Sequence, residues 1–378
     1  PSQARPANVV RLRHTLNAGV PISSMRIPLP PPSVLEAMGI KPIPLFMLSA
    51  WIKAATKCGF NVQPLFKEAG IKIDLIRLED ARVSPLQLIS LLEQCVALSP
   101  DQYFPLVLGD TFAFESLPEF ETLLTTSASL RDALRAADLA RLMVLPWLTI
   151  EVKEEGDEAR VCVAFDLPMQ KLVAHALPLH LVIHATLACI RKFGRTLQGT
   201  ESGFISVDLK GPPISQADKL EAFFGVPIRF HAPADALRIE RHLLDQPLEG
   251  AFPALHEQAQ FLAEQRLGRE ARRQGVGAEI ENLLAREPEL LALGVEDMAE
   301  RLNLHPRTLQ RRLKDEDDSY LGVQARMRHR LACQWLKQGQ QSIDEISLRL
   351  GFSDRRAFTA AFKRWEGTTP SVWREQQL

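Results

Sequence analysis

The sequence predicts a mixed α+β N-terminal domain followed by an all-α C-terminal domain, in which a linker helix joins two helix-turn-helix units. Three observations lead to this prediction. The middle of the chain alternates apolar and polar residues, two similar helix-turn-helix patterns lie near its end, and its 378 residues are typical of two domains. Hydrophobic residues make up 46% of the chain, which is enough for substantial cores.

The first predicted domain covers residues 31–252. Helical periodicity predicts helices over Ile43–Cys58, Ser84–Leu98, Ser129–Leu145, Leu177–Leu197 and Gln216–Phe224. Period-two alternation predicts strands over Trp147–Glu154, Arg160–Phe165 and Phe204–Leu209, and a short extended segment over Val226–Phe230. Because Gly156 and Asp157 form a turn signal between the first two strands, these strands are expected to form a β-hairpin.

Two flanking segments have a different character. Residues 1–30 have no apolar core of signal-peptide length and are expected to be a mobile tail. Residues 253–275 are predicted to be a linker helix, with an apolar stripe formed by Leu255, Ala259, Leu262, Ala263 and Leu267. This stripe could pack against the preceding domain or pair with a second subunit. The segment Gly275-Val276-Gly277, which follows this helix, is expected to be a linker that breaks the helical pattern.

Residues 343–364 have the pattern of two short helices that meet at a tight turn. Ile343, Ile346 and Leu350 recur at helical spacing, and Gly351 suits the left-handed conformation that ends a helix. Ser353 is predicted to cap the second helix through its hydroxyl. The inward positions of this second helix are Ala357, Phe358, Ala361, Phe362 and Trp365, and its outward positions are Arg355, Arg356 and Thr359.

A second copy of this pattern lies upstream, at residues 295–314. Asn303 occupies the turn position, and asparagine tolerates the left-handed conformation better than most residues. Pro306 suits the first turn of the helix that follows, in which Leu309 and Leu313 face inward. The outward positions of that helix are Arg307, Gln310 and Arg311. A helix-turn-helix unit of this kind places its second helix in the major groove of DNA.

The segment Tyr320–Lys337 between the two units is predicted to be one linker helix. Its inward residues are predicted to be Leu321, Val323, Met327, Leu331, Trp335 and Leu336. A helix of roughly 20 residues spans about 30 Å, and one turn of DNA is about 34 Å long. Both second helices are therefore expected to enter successive major grooves on one face of DNA.

These residues resemble the DNA-binding domain of the AraC/XylS family of bacterial transcription regulators. The matching signature runs from Ala299 to Lys314, continues with Arg328 and Ala332, and ends from Gly351 to Ser371 as G-F-S-D-x-x-x-F-x-x-x-F-K-R-W-x-G-x-x-P-S. The resemblance implies a transcription regulator, an activator in particular, with double-stranded DNA and RNA polymerase as partners. His305 departs from the family's usual serine cap, and Ala360 stands where a basic residue is frequent.

The N-terminal region resembles the arabinose-binding-like domain found beside regulators of ornithine use. The matching segments are GFNVQPLFKEAGI from Gly59, SASLRDAL from Ser127 and AFFGVPIRF from Ala222, followed by Leu243, Pro247 and Leu248. The resemblance implies a domain that responds to a small-molecule effector or a partner, but it identifies no ligand-binding residues. The alternative is a protein-interaction or dimerisation platform without a small ligand, and a homodimer is possible.

Basic side chains are concentrated on the two outward helix faces, although the formal net charge is −1. Residues 306–314 and 355–364 each contain four basic residues and no acid. The residues predicted to read bases are Arg307, Gln310, Arg311, Arg355, Arg356 and Thr359, and those predicted to contact phosphate are Arg312, Lys314, Lys363 and Arg364. The acidic run at residues 315–318 is expected to face away from DNA.

Other chemistries have little support in the sequence. His175, His180 and His184 form a cluster in which His180 and His184 have the i, i+4 spacing of a metal site, but core or pocket histidines are the simpler interpretation. Cys162 and Cys189 could sense redox state, yet their apolar neighbours favour inert thiols. The five cysteines are dispersed, which favours a reducing cytoplasm. No catalytic motif, cofactor-binding loop, metal site or membrane segment is indicated, so the chain is not expected to be an enzyme.

Overall fold

The structure is a computed structural model, and it describes residues 42–71, 73, 81–165, 178–199, 203–273, 275–316 and 318–377. The predicted tail at residues 1–30 and the candidate ligand His175 lie outside the described residues. Within those residues, no helix combines the length and the apolar character needed to cross a membrane. The predicted fold class is confirmed, because an α+β region is followed by a helical one.

The N-terminal part of the fold combines helices with two sheets. Its helices are α1 (Leu48–Lys57), α2 (Gln63–Glu68), α3 (Pro85–Ala97), α4 (Phe104–Thr111), α5 (Pro118–Thr125), α6 (Leu130–Val144), α7 (His180–Gln198) and α8 (Ala217–Phe224). Its strands are β1 (Ile43–Pro44), β2 (Arg82–Val83), β3 (Leu148–Glu155), β4 (Glu158–Phe165), β5 (Phe204–Asp208), β6 (Ile228–Arg229) and β7 (Asp235–Glu240). A 3-10 turn follows at Arg241–Leu244.

The larger sheet has the strand order β3-β4-β7-β5-β6. The predicted hairpin is present, since β3 and β4 pair antiparallel from Leu148 opposite Phe165 to Glu155 opposite Glu158. Gly156 turns between them with φ +59°. Strand β7 was not predicted, and it pairs antiparallel with both β4 and β5 at the centre of the sheet. The period-two pattern therefore identified the hairpin but missed the strand that joins it to β5.

The predicted helix over Ile43–Cys58 is wrong in its first part. Ile43 lies in β1 and pairs antiparallel with Val83, and the helix begins only at Leu48. Pro44 explains the difference, because a residue that precedes proline is disfavoured in helical conformation. The predicted start at Ser84 is correct, since its hydroxyl accepts a hydrogen bond from the amide of Gln87 in a capping box.

Helix α9 (Pro253–Arg273) leaves the N-terminal region and packs back onto it along α5. Ala259, Ala263 and Leu267 are buried in the N-terminal core. Glu270 accepts a hydrogen bond of 2.5 Å from Arg82, next to β1. Of the two uses open to the apolar stripe, the structure therefore shows packing within the chain.

The C-terminal part is helical and has its own hydrophobic cluster. Its helices are α10 (Val276–Arg286), α11 (Val295–Arg301), α12 (Pro306–Asp315), α13 (Tyr320–Gln338), α14 (Ile343–Arg349), α15 (Arg355–Glu366) and α16 (Pro370–Gln377), with a 3-10 turn at Pro288–Ala292. The expected break at residues 275–277 is wrong beyond Gly275, because Val276 and Gly277 form the first turn of α10. Helix α13 packs against α10, α14 and α16, so it is part of the core rather than an isolated rod.

Candidate nucleic-acid interface

The first helix-turn-helix unit consists of α11, a turn at Asn303 and α12. Asn303 has φ +54°, so the predicted left-handed turn is confirmed. His305 departs from the family's serine, yet it still caps α12, because its Nδ1 accepts a hydrogen bond of 3.2 Å from the amide of Arg307. Leu309 and Leu313 are buried against the core and fix which face of α12 points outward.

The outward face of α12 carries an exposed row of polar and basic side chains. Its exposed members are Arg307, Gln310, Arg311, Arg312 and Lys314. Arg307, Gln310, Arg311 and Lys314 recur at spacings of three and four, so they share one face of the helix. Their exposure agrees with the predicted orientation, and their contact with DNA stays a prediction.

The second unit consists of α14, a turn at Gly351 and α15. Gly351 has φ +72°, and a Cβ there would lie 3.2 Å from the Cα of Ala292. Glycine suits this position for two reasons: the backbone is left-handed, and it approaches the 3-10 turn that precedes the first unit closely. Helix α14 begins with a capping box, in which Ser342 and Glu345 satisfy each other's backbone amides.

The predicted cap of α15 is wrong by one residue. The carboxylate of Asp354, and not the hydroxyl of Ser353, accepts a hydrogen bond of 2.8 Å from the amide of Ala357. The backbone carbonyl of Asp354 in turn accepts a hydrogen bond of 2.9 Å from Ser347 Oγ on α14. This bond between the two helices places Asp354 at the helix start, which local sequence preference did not reveal.

We expect Asp354→Ala to lower the free energy of unfolding by about 1 kcal/mol, the usual contribution of an N-cap side chain. Ser353→Ala is the matched control, because it removes a hydroxyl from the adjacent exposed residue and should change stability by less than about 0.5 kcal/mol. Chemical denaturation of the purified variants measures both values. A larger loss of unfolding free energy in Ser353→Ala than in Asp354→Ala would show that Ser353, as predicted from the sequence, is the cap.

The outward face of α15 is also basic. Phe358 and Phe362 are fully buried, while Arg355, Arg356, Lys363 and Arg364 are exposed. Thr359 is half-buried, so it projects less than predicted. Arg355 forms an ion pair of 3.1 Å with Asp344, and because both side chains are more than half exposed, this pair contributes only about 0–1 kcal/mol. Arg355 could therefore exchange it for a DNA contact at little cost.

Arg328 on α13 donates hydrogen bonds to two other segments of the C-terminal region. Its Nε donates a hydrogen bond of 2.9 Å to the carbonyl of Leu350 at the end of α14, and its Nη2 donates one of 2.7 Å to the carbonyl of Leu291 before α11. Its guanidinium also lies 5.4 Å from the ring of Phe352. The sequence signature included Arg328 without a role, and the structure shows that it ties the second unit and the 3-10 turn before the first unit to α13.

A second connection between α13 and α15 was not predicted. His329 Nε2 lies 2.7 Å from Glu366 Oε1, and the ring of His329 packs against Trp365. Cys333 lies one helical turn further on, and the ligand-type atoms of the three side chains fall within 4.8 Å of one another. His329 and Cys333 are four residues apart on α13, but Glu366 comes from a distant helix, so no local pattern identifies the three as a group.

Two acids of the run at residues 315–318, Glu316 and Asp318, make contacts within the protein and do not simply face solvent, whereas Asp315 is exposed and Asp317 lies outside the described residues. Glu316 accepts hydrogen bonds of 2.6 Å and 3.0 Å from the amides of Val276 and Gly277, at the start of α10. A carboxylate there satisfies free amides and interacts favourably with the helix dipole. Asp318 pairs with Arg326, which also binds Glu281 on α10. These acids thus secure α10 to the first unit.

The candidate residues of the N-terminal region differ in exposure, since His184 and Cys162 are buried, Cys189 is half-buried and His180 is exposed. His184 is buried, and its Nδ1 lies 2.8 Å from Tyr103 Oη. Burial lowers the pKa of His184 to about 3, so its imidazole is neutral at neutral pH. Burial likewise raises the pKa of Cys162 and raises that of Cys189 to about 12, so both are protonated thiols. The buried, hydrogen-bonded His184 and the protonated thiols favour a core histidine and inert cysteines over a metal or redox site.

Two protein-family models match the chain. One is described as the arabinose-binding domain of AraC transcription regulators, N-terminal, and it matches residues 59–248. The chain belongs to the AraC family of transcription regulators. The other is a helix-turn-helix domain, and it matches residues 298–376, which include both units described above. The resemblance drawn from the sequence is therefore confirmed for both regions.

Curated relatives of this AraC-family chain are also regulators. It is 26% identical to the ornithine utilization regulator of Pseudomonas aeruginosa over 334 residues, which cover 88% of this chain and 96% of the relative. It is 25% identical to an HTH-type transcriptional regulator of Mycobacterium tuberculosis over 350 residues, covering 91% and 98%. The crystal structure of the regulator CdpR from Pseudomonas aeruginosa aligns with 83% of this chain and 96% of its own, at 22% identity and a TM-score of 0.39. The chain is thus a DNA-binding transcription regulator and not an enzyme, as predicted.

Proposed function

We propose that this AraC-family regulator is a transcription activator whose N-terminal region responds to a small-molecule effector. The proposed division is an effector-response domain at residues 31–252, a linker helix at 253–275 and a DNA-binding domain at 276–378. Two separate hydrophobic clusters support the boundary near residue 275, since one ends at Leu267 in α9 and the other begins at Val276 in α10. RNA polymerase and a second copy of the chain are further proposed partners, on the family resemblance alone, and the bacterial cytoplasm is the proposed place of action.

The observation that carries the DNA-binding proposal is the pair of exposed basic helices, α12 and α15, whose buried faces share one hydrophobic cluster with α13. Helix α13 has 19 residues and is therefore about 28 Å long, close to the 34 Å of one DNA turn. We propose that α12 and α15 enter successive major grooves. The proposed base-reading residues are Arg307, Gln310, Arg311, Arg355, Arg356 and Thr359, and the proposed phosphate contacts are Arg312, Lys314, Lys363 and Arg364.

The alternative function, a protein-interaction or dimerisation platform without a small ligand, is favoured by one observation. Phe252 and Phe261, at the start and along the outer side of α9, are exposed by 57% and 60%. Exposed apolar side chains of this size are typical of interaction surfaces when they form a patch. An internal apolar cavity in the same region, described below, favours the small-molecule effector instead.

Arg311→Ala tests the base-reading role. We expect it to weaken binding to an operator, selected from random oligonucleotides, by about 1–3 kcal/mol and to relax the sequence preference at one position. Lys314→Ala is the matched comparison on the same exposed face, since loss of a phosphate contact should weaken operator and random DNA about equally. Titrations of both DNAs with the full chain measure these values. An equal loss on both DNAs for Arg311→Ala would contradict its role.

The same operator tests the second unit. In the double variant Arg355→Ala, Arg356→Ala we expect the DNA footprint to shrink to the half-site that α12 contacts, since the second basic surface is removed while the buried face of α15 is kept. An unchanged footprint would mean that α15 does not contact DNA.

A further inference from the structure

An internal cavity lies between the helices and the larger sheet of the N-terminal region. Its volume is about 150 Å³. Its wall extends from Trp51 on α1, across α6 and α7, to Leu237 on β7. The half-buried Cys189, whose pKa desolvation raises to about 12, lies in the same wall. None of the residues proposed to contact DNA lines this cavity.

The wall is almost entirely hydrocarbon. Among the described residues that line the cavity, the side chains with strong hydrogen-bonding groups are those of Trp51, Arg141, Thr186 and Gln198. The indole Nε1 of Trp51 is buried and has no hydrogen-bond partner among the described residues, so it offers a ligand one donor. Two of these groups already have partners within the protein. Arg141 is paired with Asp138, and the hydroxyl of Thr186 donates a hydrogen bond of 2.8 Å to the carbonyl of Val182. The remainder of the wall consists of side chains such as Leu134, Ile150 and Phe193.

This composition excludes sugars and charged amino acids from the cavity on energetic grounds. A sugar would bury several hydroxyls, and each one left without a partner costs about 1–3 kcal/mol. A charged amino acid would bury ionic groups at a still larger cost. An apolar molecule gains instead by leaving water. An apolar protein cavity of about 150 Å³ is known to remain dry and to hold a benzene molecule.

We propose that this cavity is the effector site and that its ligand is a compact, uncharged apolar molecule. The buried body of the ligand is a single aromatic ring or a chain of about six to eight carbon atoms. This inference rests on the proposed effector response, and it specifies the chemical class of the effector. The proposed ligand class differs from arabinose, which the description of the matching family names, and from ornithine, which the name of one relative contains.

The position of the cavity connects it to the DNA-binding region. Leu124 on α5 and Leu134 on α6 line the cavity, and α9 packs against both of these helices. Helix α9 leads directly to α10, whose first turn is capped by Glu316 at the end of α12. A ligand that shifts α5 or α6 therefore acts on the helix that precedes the DNA-binding domain.

The test uses the full chain and a series of neutral probes: benzene, toluene, ethylbenzene and butylbenzene, with L-arabinose and L-ornithine as polar comparisons. Binding is measured by calorimetry, and the response by affinity for the selected operator. Ala137→Phe places a ring at the cavity wall, and Leu142→Phe adds the same ring at an exposed position of α6 that does not line the cavity. Ile190→Ala enlarges the cavity, and its binding profile is informative even if the filled variant fails to fold.

We expect toluene to bind, Ala137→Phe to weaken its binding at least about tenfold, and Leu142→Phe to change it less than about twofold. In Ile190→Ala the preference should move toward the longer probes.

If arabinose or ornithine bound and altered operator affinity while the apolar series did not, the apolar class would be wrong and the effector function would stand. If toluene bound in the cavity without any change in operator affinity, the cavity would not be the effector site. If neither probe class bound, both the inference and the effector function would be overturned, in favour of an interaction platform.

Discussion

Trp335→Ala is expected to lower the free energy of unfolding of the C-terminal region by about 3–5 kcal/mol, the usual cost of truncating a buried aromatic side chain. Trp335 on α13 is 7% exposed and belongs to the C-terminal hydrophobic cluster. The guanidinium of Arg349 on α14 lies 4.3 Å from the centre of its ring. The substitution therefore leaves a cavity and removes a cation–π contact between the linker helix and the second unit.

Leu321→Ala is the matched control for this prediction. It removes a large apolar side chain from the same helix, but Leu321 is 74% exposed, so stability should change by less than about 0.5 kcal/mol. Denaturant titration, followed by circular dichroism of the full chain, compares the two variants. Equal losses in the two variants would show that burial does not determine the contribution of Trp335.

Arg328→Ala is expected to destabilise the C-terminal region by about 3 kcal/mol. Its guanidinium donates to two backbone carbonyls, those of Leu291 and Leu350, and hydrogen bonds from charged groups contribute about 1.5–3 kcal/mol each. Because these bonds hold the end of α14 and the 3-10 turn before α11 against α13, operator binding should weaken although Arg328 itself is not among the residues proposed to contact DNA. Thermal melting and operator titration measure the two effects.

Two further variants sharpen this prediction. Gln334→Ala changes an exposed residue of the same helix and should leave both measurements near their wild-type values. Arg328→Lys keeps the charge but loses the fixed fork of donors, so it should recover only part of the lost stability. If Arg328→Lys matched the wild type in both assays, the two directed hydrogen bonds would not be the reason for the effect.

The local pattern of the sequence identified the two helix-turn-helix units because short-range constraints define them. The left-handed conformation restricts the turn positions, so Asn303 and Gly351 were recognisable without knowledge of their neighbours. Buried residues at spacings of three and four, such as Leu309 and Leu313, oriented the second helices. The exposure of the basic residues on α12 followed directly from this orientation.

The same local arguments failed where a distant part of the chain determines the exposure or the partner of a side chain. Leu321 fits the apolar period of α13 and was expected to face inward, yet it lies in the first turn of the helix and is exposed. Glu316 belongs to an acidic run expected to face solvent, but the start of α10 uses its carboxylate as a cap. In both cases the environment of the side chain depends on whether a neighbouring element packs at that position. Local periodicity does not encode this.

The sequence by itself determined the fold class, the two helix-turn-helix units and the faces of α12 and α15 that are free to meet DNA, because periodicity and turn chemistry act over a few residues. Only the tertiary structure decided that Arg328 bonds to the end of α14 and to the 3-10 turn before α11, that α9 packs against the N-terminal region, and that α6, α7 and the sheet line an apolar cavity. These features depend on packing between residues far apart in the chain, and that packing is fixed only when the whole core assembles.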